Sequence, residues 1–126
     1  MDNQNEILVK KLTADTYNCD IEWEVADADD YEDFIVEPVR VMRGLCTRLN
    51  NLNFYIFEQK IYRYDPEFDA RYQDVIYFLV IRKNGITVKE LHENTVNSEY
   101  LIELLEAAVD QALGADSDIE SYIISE

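Results

Sequence analysis

The stretch NFYIFEQKIYRYDPEFDARYQDVIYFLVIRKNGITVKEL, residues 53–91, decides the fold of this chain. Two runs within it, residues 53–64 and 72–82, are rich in the aromatic and β-branched residues that favour strands. Residues 65–69 between them, Asp-Pro-Glu-Phe-Asp, have the composition of a turn. Residues 75–81 are apolar on both faces, which is typical of a central strand covered on both sides. The stretch therefore predicts two long antiparallel strands.

The dipeptide Asn84-Gly85 is the strongest local signal in the sequence. Asn-Gly between two β-runs indicates a two-residue type I′ hairpin, because both residues tolerate a positive φ. A third strand is therefore predicted at about residues 86–91, and the three strands form an antiparallel meander.

Upstream of the meander, residues 19–25 read Cys-Asp-Ile-Glu-Trp-Glu-Val, in which apolar and acidic residues alternate. This period of two predicts an early strand with one buried face. Cys19 on this strand and Cys46 further along are interpreted as small core residues. Residues 7–12, Ile-Leu-Val-Lys-Lys-Leu, begin either a strand or a short helix. The outer face of the early strand carries three carboxylates: Asp20, Glu22 and Glu24.

Two helices are predicted, one before and one after the meander in the chain. The first covers about residues 38–50, with Pro38 at its first position, where a missing N–H costs no hydrogen bond. The second covers about residues 98–113, and Asn97 or Ser98 can cap it. The first helix has apolar residues at helical spacing: Val39, Met42, Cys46 and Leu49.

These elements predict an α+β fold. An antiparallel β-meander at about 53–91 is joined by the early strand near 19–25, and the helices near 38–50 and 98–113 pack on it. With 126 residues, the chain is predicted to form a single domain, 1–126.

The net charge of −16, from 27 acidic and 11 basic residues, narrows the kinds of partner. We expect no direct binding to nucleic acid or to a membrane, since both reward Lys and Arg. A basic protein is the natural complement. The chain begins with no signal-peptide pattern and has no apolar run near the roughly 20 residues that a membrane span needs. We therefore expect a cytoplasmic protein.

Patterns that would indicate catalysis or metal binding are weak throughout. The one histidine, His92, lies in no metal-ligand motif, and Cys19 and Cys46 do not add a zinc spacing. The three glycines are isolated, so they form no phosphate-binding loop. Two acidic segments, 27–32 and 116–120, resemble the start of a calcium loop but lack its glycine. We therefore predict no catalytic residue, no metal site and no cofactor.

The charges are segregated along the chain. Residues 1–39 hold 12 acidic and 2 basic residues, residues 40–89 hold 5 and 9, and residues 90–126 hold 10 and none. An ordinary surface mixes both signs, whereas here two acidic blocks flank a mildly basic middle. This arrangement makes a binding role more consistent with the sequence than a catalytic one.

The helix predicted at 98–113 carries a row of four carboxylates at spacings of four, three and four residues. At a rise of about 1.5 Å per residue, the carboxylates step about 5–6 Å apart, broadly the scale of phosphate spacing along a nucleic-acid strand. The row is either a solvated helix face or a set of charges that imitates those phosphates. We call these four residues the acidic rail: Glu99, Glu103, Glu106 and Asp110.

In size and charge, the chain resembles acidic inhibitor proteins of phages and mobile elements, including anti-CRISPR and anti-restriction DNA mimics. The resemblance implies a non-catalytic inhibitor that mimics DNA or RNA and blocks a basic nucleic-acid-binding protein or nuclease. Three alternatives stay open. The chain could be an immunity or antitoxin protein that neutralises a basic toxin, or a small carboxylate-based metal-binding or enzymatic domain. It could also be a structural or accessory module whose charge serves only solubility. The candidate partner-binding residues are Asp20, Glu22, Glu24, Asp27, Asp29, Asp30, Glu32, Asp33, Glu99, Glu103, Glu106 and Asp110.

Overall fold

The computed structural model describes residues 3–26 and 40–124 of the chain. Adjacent strands pair antiparallel in the order β1-β2-β3-β4-β5, which makes a five-stranded meander. Helix α2 packs on this sheet and α1 packs on α2, so the predicted α+β fold is confirmed. The elements in chain order are α1 (Asn3–Tyr17), β1 (Glu24–Val25), β2 (Arg40–Leu49), β3 (Leu52–Asp65), β4 (Ala70–Lys83), β5 (Ile86–Leu91), α2 (Ser98–Leu113) and α3 (Ala115–Ile124).

The turns after β3 and β4 follow the sequence as predicted. Asn84 and Gly85 link β4 to β5 with φ angles of 53° and 78°, the positive values that a type I′ hairpin requires. Residues 66–69 link β3 to β4, and at their start the Glu67 N–H donates to the Asp65 carboxylate at 3.0 Å. β5 coincides with the predicted third strand.

The helix predicted at residues 38–50 is wrong, because residues 40–49 form the strand β2. Residues 38 and 39 lie outside the described residues. Leu45 and Leu49, which both pack in the main core, are spaced by four, and this spacing fits one face of a helix and one face of a strand equally well. The pattern along the chain therefore does not distinguish the two structures.

Pairing with β3 decides the conformation of β2. Leu45 is buried and lies opposite Ile56, whereas Met42, which was expected to face the core, is exposed. Cys46, predicted as a core residue, is only half-buried. Asn50, at a φ of 59°, turns the chain from β2 into β3 instead of ending a helix.

The core lies between the sheet and helix α2. Asn97 caps α2 through a hydrogen bond from the Glu99 N–H at 2.9 Å, and Gly114 ends it at a φ of 58°. The opposite face of the sheet has a smaller cluster in which Phe57 stacks on Phe78 at 5.4 Å. The main core residues from the sheet and α2 include Ile56, Leu79, Ile81, Leu101, Leu104, Leu105 and Ala108.

Residues 7–12 belong to helix α1, which settles the choice that the sequence left open. The early strand is confirmed in place, but it is only the two residues of β1. Ile21 and Trp23 are buried as predicted. Cys19 is exposed, which corrects its assignment to the core. The reason is that residue 19 has a φ of 62° and closes the C-terminal turn of α1, so it does not continue a strand.

Candidate functional site

The early acidic segment is held by its tryptophan. The Trp23 backbone N–H donates to Gln111 Oε1 at 2.6 Å, and its indole N–H donates to Thr16 Oγ1 at 2.9 Å. These bonds join the segment to both α2 and α1. A third hydrogen bond connects the segment to β2, because the Thr47 hydroxyl donates to the Glu22 carbonyl at 2.7 Å. The segment is therefore fixed at the β1 edge of the sheet.

The carboxylates on either side of Trp23 point to solvent because alternate residues of an extended segment face opposite sides. Together with Cys46 and Arg48, they line a shallow groove of about 550 Å³. Three candidate residues predicted from sequence are thus exposed on one short segment: Asp20, Glu22 and Glu24.

The acidic rail lies along the solvent side of α2. All four of its residues are exposed, on the side of the helix opposite the buried leucines. The described part of the chain offers them no ion-pair partner, since its salt bridges connect other residues. Those pairs are Lys10–Glu6, Lys11–Asp15, Arg43–Glu58, Arg63–Asp74 and Arg63–Glu93.

The backbone of the early acidic segment approaches the C-terminal end of α2. Gln111, which accepts the Trp23 N–H, directly follows Asp110, the last residue of the rail. The segment's backbone therefore lies near the end of the rail, whereas Glu24, which pairs with Cys46, faces the side of the sheet opposite to α2. The remaining candidates fall outside the described residues: Asp27, Asp29, Asp30, Glu32 and Asp33.

A charged cluster that sequence reasoning missed lies beside the middle of the rail. Arg43 donates to Glu58 through Nε at 3.1 Å and through Nη2 at 3.2 Å. The hydrogen bond to Glu58 raises the pKa of Arg43, and the charge of Glu106 acts in the same direction. Burial, followed by a hydrogen bond with Glu58, raises the pKa of Tyr77. Only strand register brings these residues together, so no signal along the chain could have found them.

The paired ends of β3 and β4 were also missed as a surface. β2 pairs with β3 only as far as Lys60, and β5 pairs with β4 only from Leu79 onward. Among the described residues, positions 61–74 therefore pair only with each other, and we call them the β-ribbon. Four aromatic side chains on it are exposed: Tyr62 at 66%, Tyr64 at 55%, Phe68 at 72% and Tyr72 at 50%. The predicted strands at 53–64 and 72–82 are much longer than the third strand at 86–91. This difference in length was the sequence signal that the first two extend beyond their neighbour.

His92 has structural contacts in this fold. Its Nδ1 accepts the Asn94 N–H at 3.2 Å, and its ring meets Phe78 edge-on at 5.9 Å. Within residues 3–26 and 40–124, no three His, Cys, Asp or Glu side chains are grouped so that they could hold a metal ion.

The tail after α2 forms helix α3. Its apolar side chains do not pack back on the core. Ile119, Tyr122, Ile123 and Ile124 are all exposed.

No protein-family model matches the chain, and neither a curated protein nor a solved structure matches it. None of the helices in the described part of the chain combines the length and the apolar character needed to cross a bilayer.

Proposed function

We propose that this protein is a non-catalytic inhibitor that acts as a nucleic-acid mimic and occupies the basic groove of a nucleic-acid-binding protein or nuclease. One observation carries the proposal: the acidic rail is a row of four exposed carboxylates, none of which forms an ion pair with a described residue. Lys and Arg side chains that contact phosphates would meet carboxylates at a similar spacing along α2.

The unpaired charges on the rail lower the stability of α2, and a binding role would explain why the chain carries them. Like charges three or four residues apart destabilise a helix, and the nearby bases Lys10 and Arg43 pair with residues outside the rail. The net charge of −16 adds long-range attraction to a basic partner. An inhibitor of the phage or mobile-element anti-defence type, such as an anti-CRISPR, suits this composition.

The test uses the full chain, immobilised as bait for proteins of its native host. We expect it to capture a basic nucleic-acid-binding protein, which added DNA or RNA displaces and which rising NaCl weakens steeply. A variant with Glu99→Gln, Glu103→Gln, Glu106→Gln and Asp110→Asn should lose capture.

The matched control removes the same charge elsewhere in the chain, through Glu90→Gln, Asp116→Asn, Asp118→Asn and Glu120→Gln. This control should retain capture, because the four positions lie off the rail. If both variants lose capture equally, or neither does, the rail is not the binding surface and the proposal is wrong. A captured toxin that neither DNA nor RNA displaces would instead identify an immunity or antitoxin protein.

A further inference from the structure

In the described part of the chain, no other strand pairs with either edge of the β-ribbon. Side chains alternate along a strand, so Tyr62 and Tyr64 lie on the helix side of the sheet, and Tyr72 lies on the other side. Phe68 is at the turn. A two-stranded ribbon is only marginally stable in water, and this one exposes rings on both faces and at its end. Such a shape suits insertion into a groove better than docking on a flat surface.

One ring on the helix side, that of Tyr64, is held in place by a bond within the ribbon. The Tyr64 hydroxyl donates to the Asp69 carboxylate, a bond that raises the pKa of Tyr64. The Tyr62 hydroxyl accepts from Gln73 Nε2 at 3.5 Å. The Tyr64 ring therefore loses little conformational freedom when a partner covers it.

The end of the ribbon is acidic as well as aromatic. Arg63 is engaged at the base of the ribbon, where its Nε lies 2.7 Å from Asp74 and its Nη2 lies 2.9 Å from Glu93. Beyond it, Arg71 is outnumbered by three carboxylates: Asp65, Glu67 and Asp69. A partner that covers this end must therefore supply positive charge.

The ribbon is continuous with the acidic rail. Glu58 lies on the same side of β3 as Tyr62 and Tyr64, because it is separated from them by an even number of residues. Glu58 contacts Arg43, whose pKa is also raised by the charge of Glu106 on the rail. One surface therefore runs from the carboxylates of α2, across this charged cluster, to the aromatic rings of the ribbon.

We infer that the β-ribbon enters the groove of the partner, and that the groove carries aromatic side chains among its lysines and arginines. This inference rests on the proposed function and narrows the partner class. Carboxylates would replace phosphates and tyrosine rings would replace bases. Basic residues combined with aromatic stacking platforms are the chemistry of a site for single-stranded nucleic acid. A duplex-binding site would offer the positive charge without the stacking platforms.

The test uses two synthetic peptides with the same lysine spacing, one with glycine and one with tryptophan between the lysines. Their binding to the full chain is measured by fluorescence anisotropy. We expect the tryptophan peptide to bind about tenfold more tightly, the effect of two or three aromatic contacts. The variant with Tyr62→Ala, Tyr64→Ala and Phe68→Ala should lose this preference and bind the glycine peptide unchanged.

Two controls separate ring stacking from general apolar contact. Tyr62→Phe with Tyr64→Phe retains the rings and should retain the preference. Ile119→Ala with Ile123→Ala removes exposed apolar surface from α3 and should leave the preference intact. Circular dichroism checks that each variant is folded.

The outcomes distinguish this inference from the proposed function. If the ribbon variant still prefers the tryptophan peptide, the ribbon does not recognise aromatic groups and the inference is wrong, although the rail can still bind cations. If neutralising the rail leaves both peptides bound as tightly as before, the proposed function fails, and the inference fails with it.

Discussion

Trp23 connects the early acidic segment with the helix that carries the rail. Its backbone N–H bonds Gln111 on α2, its indole N–H bonds Thr16 on α1, and its side chain is buried. The two residues beside it in the chain, Glu22 and Glu24, are exposed. A single buried ring thus anchors the backbone of the segment beside α2, and the exposed Glu22 and Glu24 side chains point away from that helix.

Replacing Gln111 tests this connection. Gln111→Ala leaves the Trp23 backbone N–H without its acceptor, so we expect the free energy of unfolding to fall by about 1–3 kcal/mol. Urea denaturation measures the loss, followed by the fluorescence of the chain's one tryptophan. The matched control is Gln73→Ala on the β-ribbon, where the amide makes only a long bond of 3.5 Å. Equal losses in the two variants would contradict the role assigned to Gln111.

At the scale of elements, α2 combines a buried apolar face with an unpaired acidic face. Its caps and its core leucines fix where the helix begins, where it ends and which side is buried. The rail then takes the solvent side because its spacing follows the helical repeat. Helix stability does not require four carboxylates on the solvent side, and uncharged residues in their place would make the helix more stable.

The rail is therefore expected to lower stability. Neutralising it with Glu99→Gln, Glu103→Gln, Glu106→Gln and Asp110→Asn should raise the free energy of unfolding by about 1 kcal/mol, because three like-charged pairs are removed. Thermal denaturation by circular dichroism at low salt measures the gain.

Two single variants test separately how individual rail carboxylates affect stability. Asp110→Asn should stabilise more than Glu99→Gln, because a carboxylate near the C-terminus of a helix opposes the dipole and one in the first turn favours it. A loss of stability in the fourfold variant would mean that the rail has stabilising partners, and the case for an unpaired binding surface would weaken.

At the scale of the whole molecule, the charge of −16 acts against the compact state. Added NaCl screens this repulsion, since the Debye length falls from about 10 Å at 0.1 M to about 3 Å at 1 M. We expect the Tm to rise with NaCl, and to rise less in the fourfold rail variant. Calorimetry of both proteins over a salt series measures this. A Tm that falls as NaCl is added would contradict net self-repulsion.

Much of the sheet was predictable because its signals are local. Asn84-Gly85 and residues 65–69 carry their turn chemistry in a few adjacent positions, and the strand runs beside them alternate or stay apolar. The cap residues and the apolar face of α2 can likewise be recognised from residues that are close together in the sequence. For β2, the spacing of four fitted both conformations, and only hydrogen bonding to β3 could select the strand.

The sequence by itself determined the meander, helix α2 and the exposure of the rail, because each depends on neighbours within a few residues. Tertiary structure decided the rest: the strand at 40–49, the approach of the backbone of residues 20–24 to the end of the rail, and the β-ribbon beyond its neighbouring strands. The physical reason is that these features depend on pairing between distant residues. Strand register and a hydrogen bond spanning 88 positions leave no periodic trace along the chain.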